Sequence, residues 1–180
     1  GGGVLGEGAG CGLGGGISID KPMFIRPTFD SKSFAGNIFS PQAIKDWQSC
    51  VNGIYSHEYS TLEPVTSVLV AEPKQILAEY RFFIVGGKIS TCSLYRRGGN
   101  PIFSKESVGQ DVINYVNRIL KRWMPHECFV IDIAHTETVE SYNYNVFKVI
   151  EVNSLTGCGF YDIDISKLVQ DLMILLKKYD

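Results

Sequence analysis

Residues 78–97 have the sequence AEYRFFIVGGKISTCSLYRR, the clearest hairpin pattern in this chain of 180 residues. Gly86 and Gly87 at its centre predict a two-residue turn, because such turns need positive φ at both central positions. Counting outward from the turn gives one register for the two strands. Its pairs are Val85 with Lys88, Phe83 with Ser90, and Arg81 with Cys92.

Three charged residues fall on one face of this otherwise apolar hairpin. Because side chains alternate between the two faces of a strand, the register places Glu79, Arg81 and Arg96 together. Arginine binds phosphate and carboxylate oxygens through a bidentate fork, so the face predicts an anion site. The alternative without a function is a surface ion pair between Glu79 and Arg81.

The elements around the hairpin follow no regular strand–helix–strand order. Further strands are predicted at 22–27, 66–72, 129–134 and 145–153. Helices are predicted from Ser40, as N-cap, and over 107–123 and 164–179. The segments 28–39, 97–107 and 136–145 are predicted as loops. This order predicts a mixed, largely antiparallel α+β fold and not a regular βαβ winding.

Oxygen-bearing side chains interrupt two apolar strands near the C-terminus. Asp132 lies within FVIDIA, and Glu151 and Asn153 lie two residues apart in VIEVN, hence on one face. If the two strands are neighbours, the three side chains form a set of hard oxygen ligands that suits Mg²⁺. The alternative is two acids on edge strands that face solvent, with an asparagine that forms a turn.

Composition excludes several other classes of protein. The formal net charge of −2 gives no electrostatic case for nucleic acid or an anionic membrane as the main partner. No apolar run approaches the roughly 20 residues of a membrane span. The five cysteines are widely spaced, which predicts reduced thiols in a cytoplasmic protein. Residues 1–16 contain 10 glycines, as expected of a flexible tether or an expression remnant.

The ordered series EYRFFIVGGKIS, SLYRR, FVIDIA and VIEVNSLTGCGFY resembles the C-terminal lobe of ATP-grasp ligases. It is similar to their glutathione-synthetase and ribosomal-protein-glutamate-ligase branches. The upstream FIRPTFDSKSFAG resembles a phage and bacterial ATP-grasp group that has a Phe-Ile-Arg/Lys-Pro strand. The resemblance implies an ATP-grasp fold of two small lobes with the nucleotide between them. Its parts would be a tether (1–20), an N-terminal lobe with hinge (21–73) and a C-terminal lobe (74–180).

The same resemblance implies a role for each matching residue. Arg81 and Arg96 would contact the γ-phosphate and the substrate carboxylate or acyl phosphate. The implied nucleotide contacts are Arg26, Lys32, Glu72, Pro73 and Glu79. The implied ligands of one or two Mg²⁺ ions are Asp132, Glu151 and Asn153.

These roles predict a ligase that uses ATP and Mg²⁺ to form an amide through an acyl phosphate. Its substrates would be the carboxylate and amine of an amino acid, peptide or protein. Two alternatives are a non-catalytic ATP-binding regulatory or interaction module, and phosphoryl transfer without ligation. ATP-grasp proteins usually have a further N-terminal domain that binds the acceptor. Here that domain would be lost, cut away, or replaced by a partner.

Overall fold

The structure, a computed structural model, describes residues 20–28, 36–51, 67–137 and 146–179, except the side chains of residues 47, 48, 50 and 51. The predicted tether, apart from Asp20, lies outside these ranges, as does most of the predicted loop 136–145. The described residues form two compact units that divide between Pro73 and Lys74. No helix among these residues has the length and apolar content needed to cross a membrane.

The first unit is a three-stranded antiparallel sheet with one helix. Its elements are β1 (Met23–Pro27), β2 (Asn37–Phe39), α1 (Pro41–Val51) and β3 (Val68–Ala71). The strand order is β2-β1-β3, and Ile25, Ile44 and Val68 form its buried core. The Ser40 hydroxyl accepts a hydrogen bond from the Ala43 N–H at 3.2 Å, which confirms the predicted helix start.

The second unit is a five-stranded antiparallel sheet with one helix on each face. Its elements are β4 (Ile76–Val85), β5 (Lys88–Arg97), β6 (Asn100–Ser104), α2 (Gln110–Leu120), β7 (Cys128–Thr136), β8 (Phe147–Asn153), a 3₁₀ turn (Leu155–Gly157) and α3 (Ile165–Leu176). The strand order is β6-β5-β4-β7-β8. Val112 and Val116 of α2 are buried on one face, and Leu168 and Leu175 of α3 on the other. The α+β prediction is confirmed.

The central hairpin has the predicted turn but not the predicted register. Gly86 and Gly87 have φ of 58° and 75°, and Val85 pairs with Lys88 as expected. The other two predicted pairs are wrong, because Ser90 and Tyr95 are extra residues at two register shifts. The observed pairs are Phe83 with Thr91 and Arg81 with Ser93.

The two extra residues compensate each other. A β-bulge adds one residue to one strand, so two bulges restore the alternation of faces. Arg96 therefore lies directly opposite Glu79, on the predicted face. Tyr95, which the simple count assigns to the other face, joins them.

Two segments predicted as loops contain strands. β2 lies within 28–39 and β6 within 97–107. Gly98 and Gly99 have φ of 55° and 80° and form a second two-residue hairpin turn. Pro101 in β6 is tolerated because β6 is an edge strand. Both strands are short, so neither has enough residues to display alternation.

Candidate active site

One face of the five-stranded sheet has a row of four polar side chains, one from each of β5, β4, β7 and β8. Arg81 pairs with Ser93 on one side and with Asp132 on the other, and Asp132 pairs in turn with Glu151. Directly opposite residues share a face, with Cβ atoms about 4.5–5.5 Å apart. The register therefore places Asp132 beside Glu151, as the prediction required.

The Arg81–Asp132 ion pair lies in the middle of this row. Nε of Arg81 donates to Oδ1 of Asp132 at 2.8 Å, and Nη2 donates to Oδ2 at 2.7 Å. The two side chains are only 8% and 3% exposed. These charge-assisted bonds raise the pKa of Arg81 above its usual value. The guanidinium therefore stays charged, and both carboxylate oxygens are occupied.

A second ion pair lies beside the first. Nη1 of Arg96 donates to Oε1 of Glu79 at 3.2 Å, so Glu79 pairs with Arg96 and not with Arg81. The Tyr95 hydroxyl donates to Oε2 of Glu79 at 2.8 Å and lies 3.5 Å from Oδ2 of Asp132. Burial, with the charge of Asp132 as a second cause, raises the pKa of Tyr95. Tyr95 therefore keeps its proton and links the two pairs.

The segment that follows β8 packs against Arg81. Nη1 of Arg81 donates to the Gly159 carbonyl at 3.1 Å. The guanidinium carbon lies 5.0 Å from the centre of the Tyr161 ring and 5.5 Å from that of Tyr95, and the two rings stack at 4.9 Å. Tyr161 has φ of 53°, a conformation that costs a non-glycine residue roughly 1–2 kcal/mol. Stacking and cation–π contacts offset this strain.

The three predicted magnesium ligands lie on one face of two neighbouring strands. Asn153 follows Glu151 by two residues on β8 and pairs with Val130, and β8 pairs with β7. Glu151 is exposed, whereas Asp132 is 2% exposed. In the described part of the chain, no three His, Cys, Asp or Glu side chains form a metal-binding group. Two carboxylates and an amide oxygen nevertheless fit Mg²⁺, which takes its remaining ligands from water and phosphate.

The comparisons with known proteins agree with this architecture. The model of an ATP-grasp domain family, the second family of its clade, matches residues 16–170. The chain belongs to this family. The ATP-grasp fold expected from the resemblance is therefore confirmed. No curated protein matches the chain.

Solved structures with this ATP-grasp fold have low sequence identity to the chain. The ATP-grasp ligase PsnB complexed with a minimal precursor has 10% identity and a TM-score of 0.54, over 87% of this chain and 48% of its own. PsnB with a phosphomimetic precursor variant, Mg and ADP has 11% identity and a TM-score of 0.50, over 86% and 45%. A D-alanine–D-alanine ligase from Bacillus anthracis complexed with ATP has 16% identity and a TM-score of 0.46, over 74% and 41%. The chain thus spans about half the length of these proteins.

The nucleotide contacts implied for the first unit of this ATP-grasp chain stay predictions. Arg26 is exposed on β1. Glu72 follows β3 and forms an ion pair with Lys21, and Pro73 is the last residue of the first unit. Lys32 lies outside the described residues.

The aromatic contacts of this site were not predicted from the sequence. Tyr95 reaches the site only because of a bulge, which a residue count from the turn does not detect. Tyr161 lies in a segment predicted as a loop, where no periodicity indicates which side chains pack. The only pattern in the sequence that points to these residues is the aromatic pair Phe160 and Tyr161 shortly after the acidic strand.

Proposed function

We propose that this ATP-grasp chain is the core of an ATP- and Mg²⁺-dependent ligase that joins a carboxylate to an amine and releases ADP. The observation that carries the proposal is the direct pairing of Asp132 with Glu151 on adjacent strands. Like charges directly opposite each other destabilise a sheet, and a buried carboxylate needs a cationic partner. Two carboxylates side by side, with Arg81 next to them, suit a metal-bound triphosphate.

The proposed reaction has two steps. A carboxylate oxygen of the first substrate attacks the γ-phosphorus, the bond from phosphorus to the bridging oxygen breaks, and ADP leaves. The amine nitrogen of the second substrate then attacks the acyl carbon, the carbon–oxygen bond to phosphate breaks, and the nitrogen loses a proton. No nucleophile from the enzyme is required. The protein contributes positioning and charge neutralisation.

The cations of the site divide this work between them. Arg96 is the proposed contact for the substrate carboxylate or acyl phosphate, because its side chain is 48% exposed. Arg81 is the proposed contact for the γ-phosphate. Bound Mg²⁺ would supply neutralisation of the phosphate oxygens, held by Asp132, Glu151 and Asn153. The proposed nucleotide contacts are Arg26, Lys32, Glu72, Pro73 and Glu79.

The proposed substrates are an amino acid, a peptide or a protein. One support is that the structural neighbour PsnB is a ligase complexed with a precursor. Because the chain spans 48% of that neighbour, the acceptor site is proposed to come from a further domain or a partner. The widely spaced cysteines support a cytoplasmic location.

A screen for ADP release against pooled amino acids and peptides tests the ligase. We expect ADP only when a carboxylate and an amine are both present. Glu151→Gln should lower the rate at least about tenfold, the loss that even an outer-shell partner of a metal gives. Asp111→Asn is the matched control, because Asp111 is exposed on α2, on the opposite face of the sheet. Equal activity of both variants would refute the metal assignment.

A specific observation supports a second candidate, an ATP-binding module without ligase activity. Both oxygens of Asp132 already accept hydrogen bonds from Arg81, which gives the carboxylate a partner without any metal. Thermal unfolding separates the candidates. A ligase requires stabilisation by ATP that depends on Mg²⁺, about 2.7 kcal/mol at a hundred times the Kd, together with turnover. Stabilisation by ATP without turnover favours the module.

A further inference from the structure

The Arg81 guanidinium has a partner for each of its three nitrogens. Nε and Nη2 donate to Asp132 and Nη1 donates to the Gly159 carbonyl, while the Tyr95 and Tyr161 rings lie 5.5 and 5.0 Å from its central carbon. In this arrangement Arg81 is not available to a phosphate. Asp132 is equally committed, since each of its oxygens accepts from the fork.

A metal ion and the Arg81 fork cannot both be favourable partners of this carboxylate. The row Arg81, Asp132, Glu151 would place a divalent cation within a few ångströms of a buried guanidinium, and like charges repel strongly where water is scarce. Glu151, by contrast, is exposed and is open to a metal from the solvent side.

We propose that Asp132 exchanges partners, with Arg81 as its counter-ion in the metal-free protein and the metal as its counter-ion when the site is loaded. The inference rests on the proposed function, and it makes Arg81 a positioning residue in one state and a phosphate contact in the other. Loading of the metal releases Arg81 from the fork when an anionic triphosphate is there to receive it. The metal-free protein thereby avoids an unpaired buried charge.

The exchange also involves the segment 154–162. Arg81 connects this segment to the sheet through the Gly159 carbonyl and the Tyr161 ring. Tyr161 has a strained backbone, with φ of 53°, so loss of the arginine contact favours a different conformation there. Cys158 is the native reporter of this change, because it is half-buried and its thiol donates to the Leu155 carbonyl at 3.1 Å.

Binding of Mn²⁺ alone, measured by loss of its free EPR signal, tests the exchange. Mn²⁺ uses the same oxygen ligands as Mg²⁺. Arg81→Met should bind Mn²⁺ at least roughly tenfold more tightly than the wild type, because the competing charge-assisted bonds are gone. Arg97→Met is the matched control, since Arg97 is exposed at the end of β5, and it should match the wild type. An equal or weaker affinity in Arg81→Met overturns the exchange.

The reactivity of Cys158 in the wild type provides a second, independent test that does not depend on the folding of a variant. The rate of thiol labelling with a disulfide reagent is measured with and without Mn²⁺, and Cys158→Ser identifies the contribution of this thiol. We expect Mn²⁺ to raise the Cys158 rate several-fold, because the segment loosens. An unchanged or lower rate overturns the exchange.

The two proposals fail in different ways. A wild type that binds Mg²⁺–ATP and ligates, but fails either Mn²⁺ test, overturns the exchange and leaves the ligase standing. A wild type that binds neither Mn²⁺ nor Mg²⁺–ATP overturns both. If Arg81→Met does not fold, Arg81→Lys takes its place, because lysine retains the charge but not the bidentate fork. Its Mn²⁺ affinity must then exceed that of the wild type.

Discussion

The Arg81–Asp132 ion pair is the feature whose removal should have the largest effect on stability. Both side chains are less than a tenth exposed, and two hydrogen bonds of 2.8 and 2.7 Å join them. Removal of one partner leaves the other as an unpaired buried charge, which costs about 3–5 kcal/mol. Against a total stability of about 5–15 kcal/mol, either Arg81→Met or Asp132→Leu should shift the unfolding midpoint substantially.

The double variant Arg81→Met/Asp132→Leu should lose less stability than the two single variants together. It replaces a buried ion pair with two apolar side chains, a change that is often neutral or stabilising. We therefore expect it to lie near the wild type, which corresponds to a coupling energy of several kcal/mol between the two positions.

Urea unfolding, followed by far-ultraviolet circular dichroism and by Trp123 fluorescence, measures all four proteins of this cycle. Trp123 reports on the second unit, because its ring packs edge-on against Phe129 at 6.3 Å. The slopes must agree among the variants for the midpoints to be comparable. Losses that add to within about 0.5 kcal/mol would mean that the two side chains do not interact, and the buried fork would be refuted.

Three further predictions concern the framework of the second unit. Gly87→Ala (φ 75°, with an added Cβ 3.0 Å from Sδ of Met124) should lose more stability in urea than Gly98→Ala (φ 55°, with no atom within 4 Å), which should lose roughly 1–2 kcal/mol; equal losses would contradict the contact. Burial raises the pKa of the Cys92 thiol to about 11, so its alkylation, followed by mass spectrometry, should stay slow at pH 8 and accelerate towards pH 11; fast labelling at pH 8 would contradict this. Asp164→Ala removes the N-cap of α3 and should lower the free energy of unfolding by about 1 kcal/mol; an unchanged value would contradict the cap.

Most of the fold of the second unit was predictable because its turns and strands have local patterns. Gly86 and Gly87 specify their turn by chemistry, since both take positive φ. The strands around Asp132 and Glu151 are apolar enough to stand out from the neighbouring segments. The strands β2 and β6 were missed because each is short and lies on a sheet edge, where pairing with one neighbour compensates for a weak intrinsic preference.

The candidate site was predictable as a face of the sheet but not as a set of contacts. Alternation alone places Glu79, Arg81 and Arg96 on one side, because it depends only on counting residues. Which acid pairs with which arginine depends on the neighbouring strands, and β7 is separated from β4 by α2 in the chain. The sequence around Arg81 therefore contains no information that Asp132, rather than Glu79, is its partner.

A purely structural explanation of the Arg81–Asp132 pair is weak on energetic grounds. Removal of two charges from water carries a desolvation penalty that their attraction often does not exceed, and apolar side chains of similar volume would fill the same space as well or better. The neighbouring row of the same face is apolar, with Phe83 opposite Val130. A sheet that already packs in this way has no structural need of a buried ion pair one row further along. The charges are more economically explained by a partner that arrives later, and a metal-bound triphosphate supplies both the cation for Asp132 and the anion for Arg81.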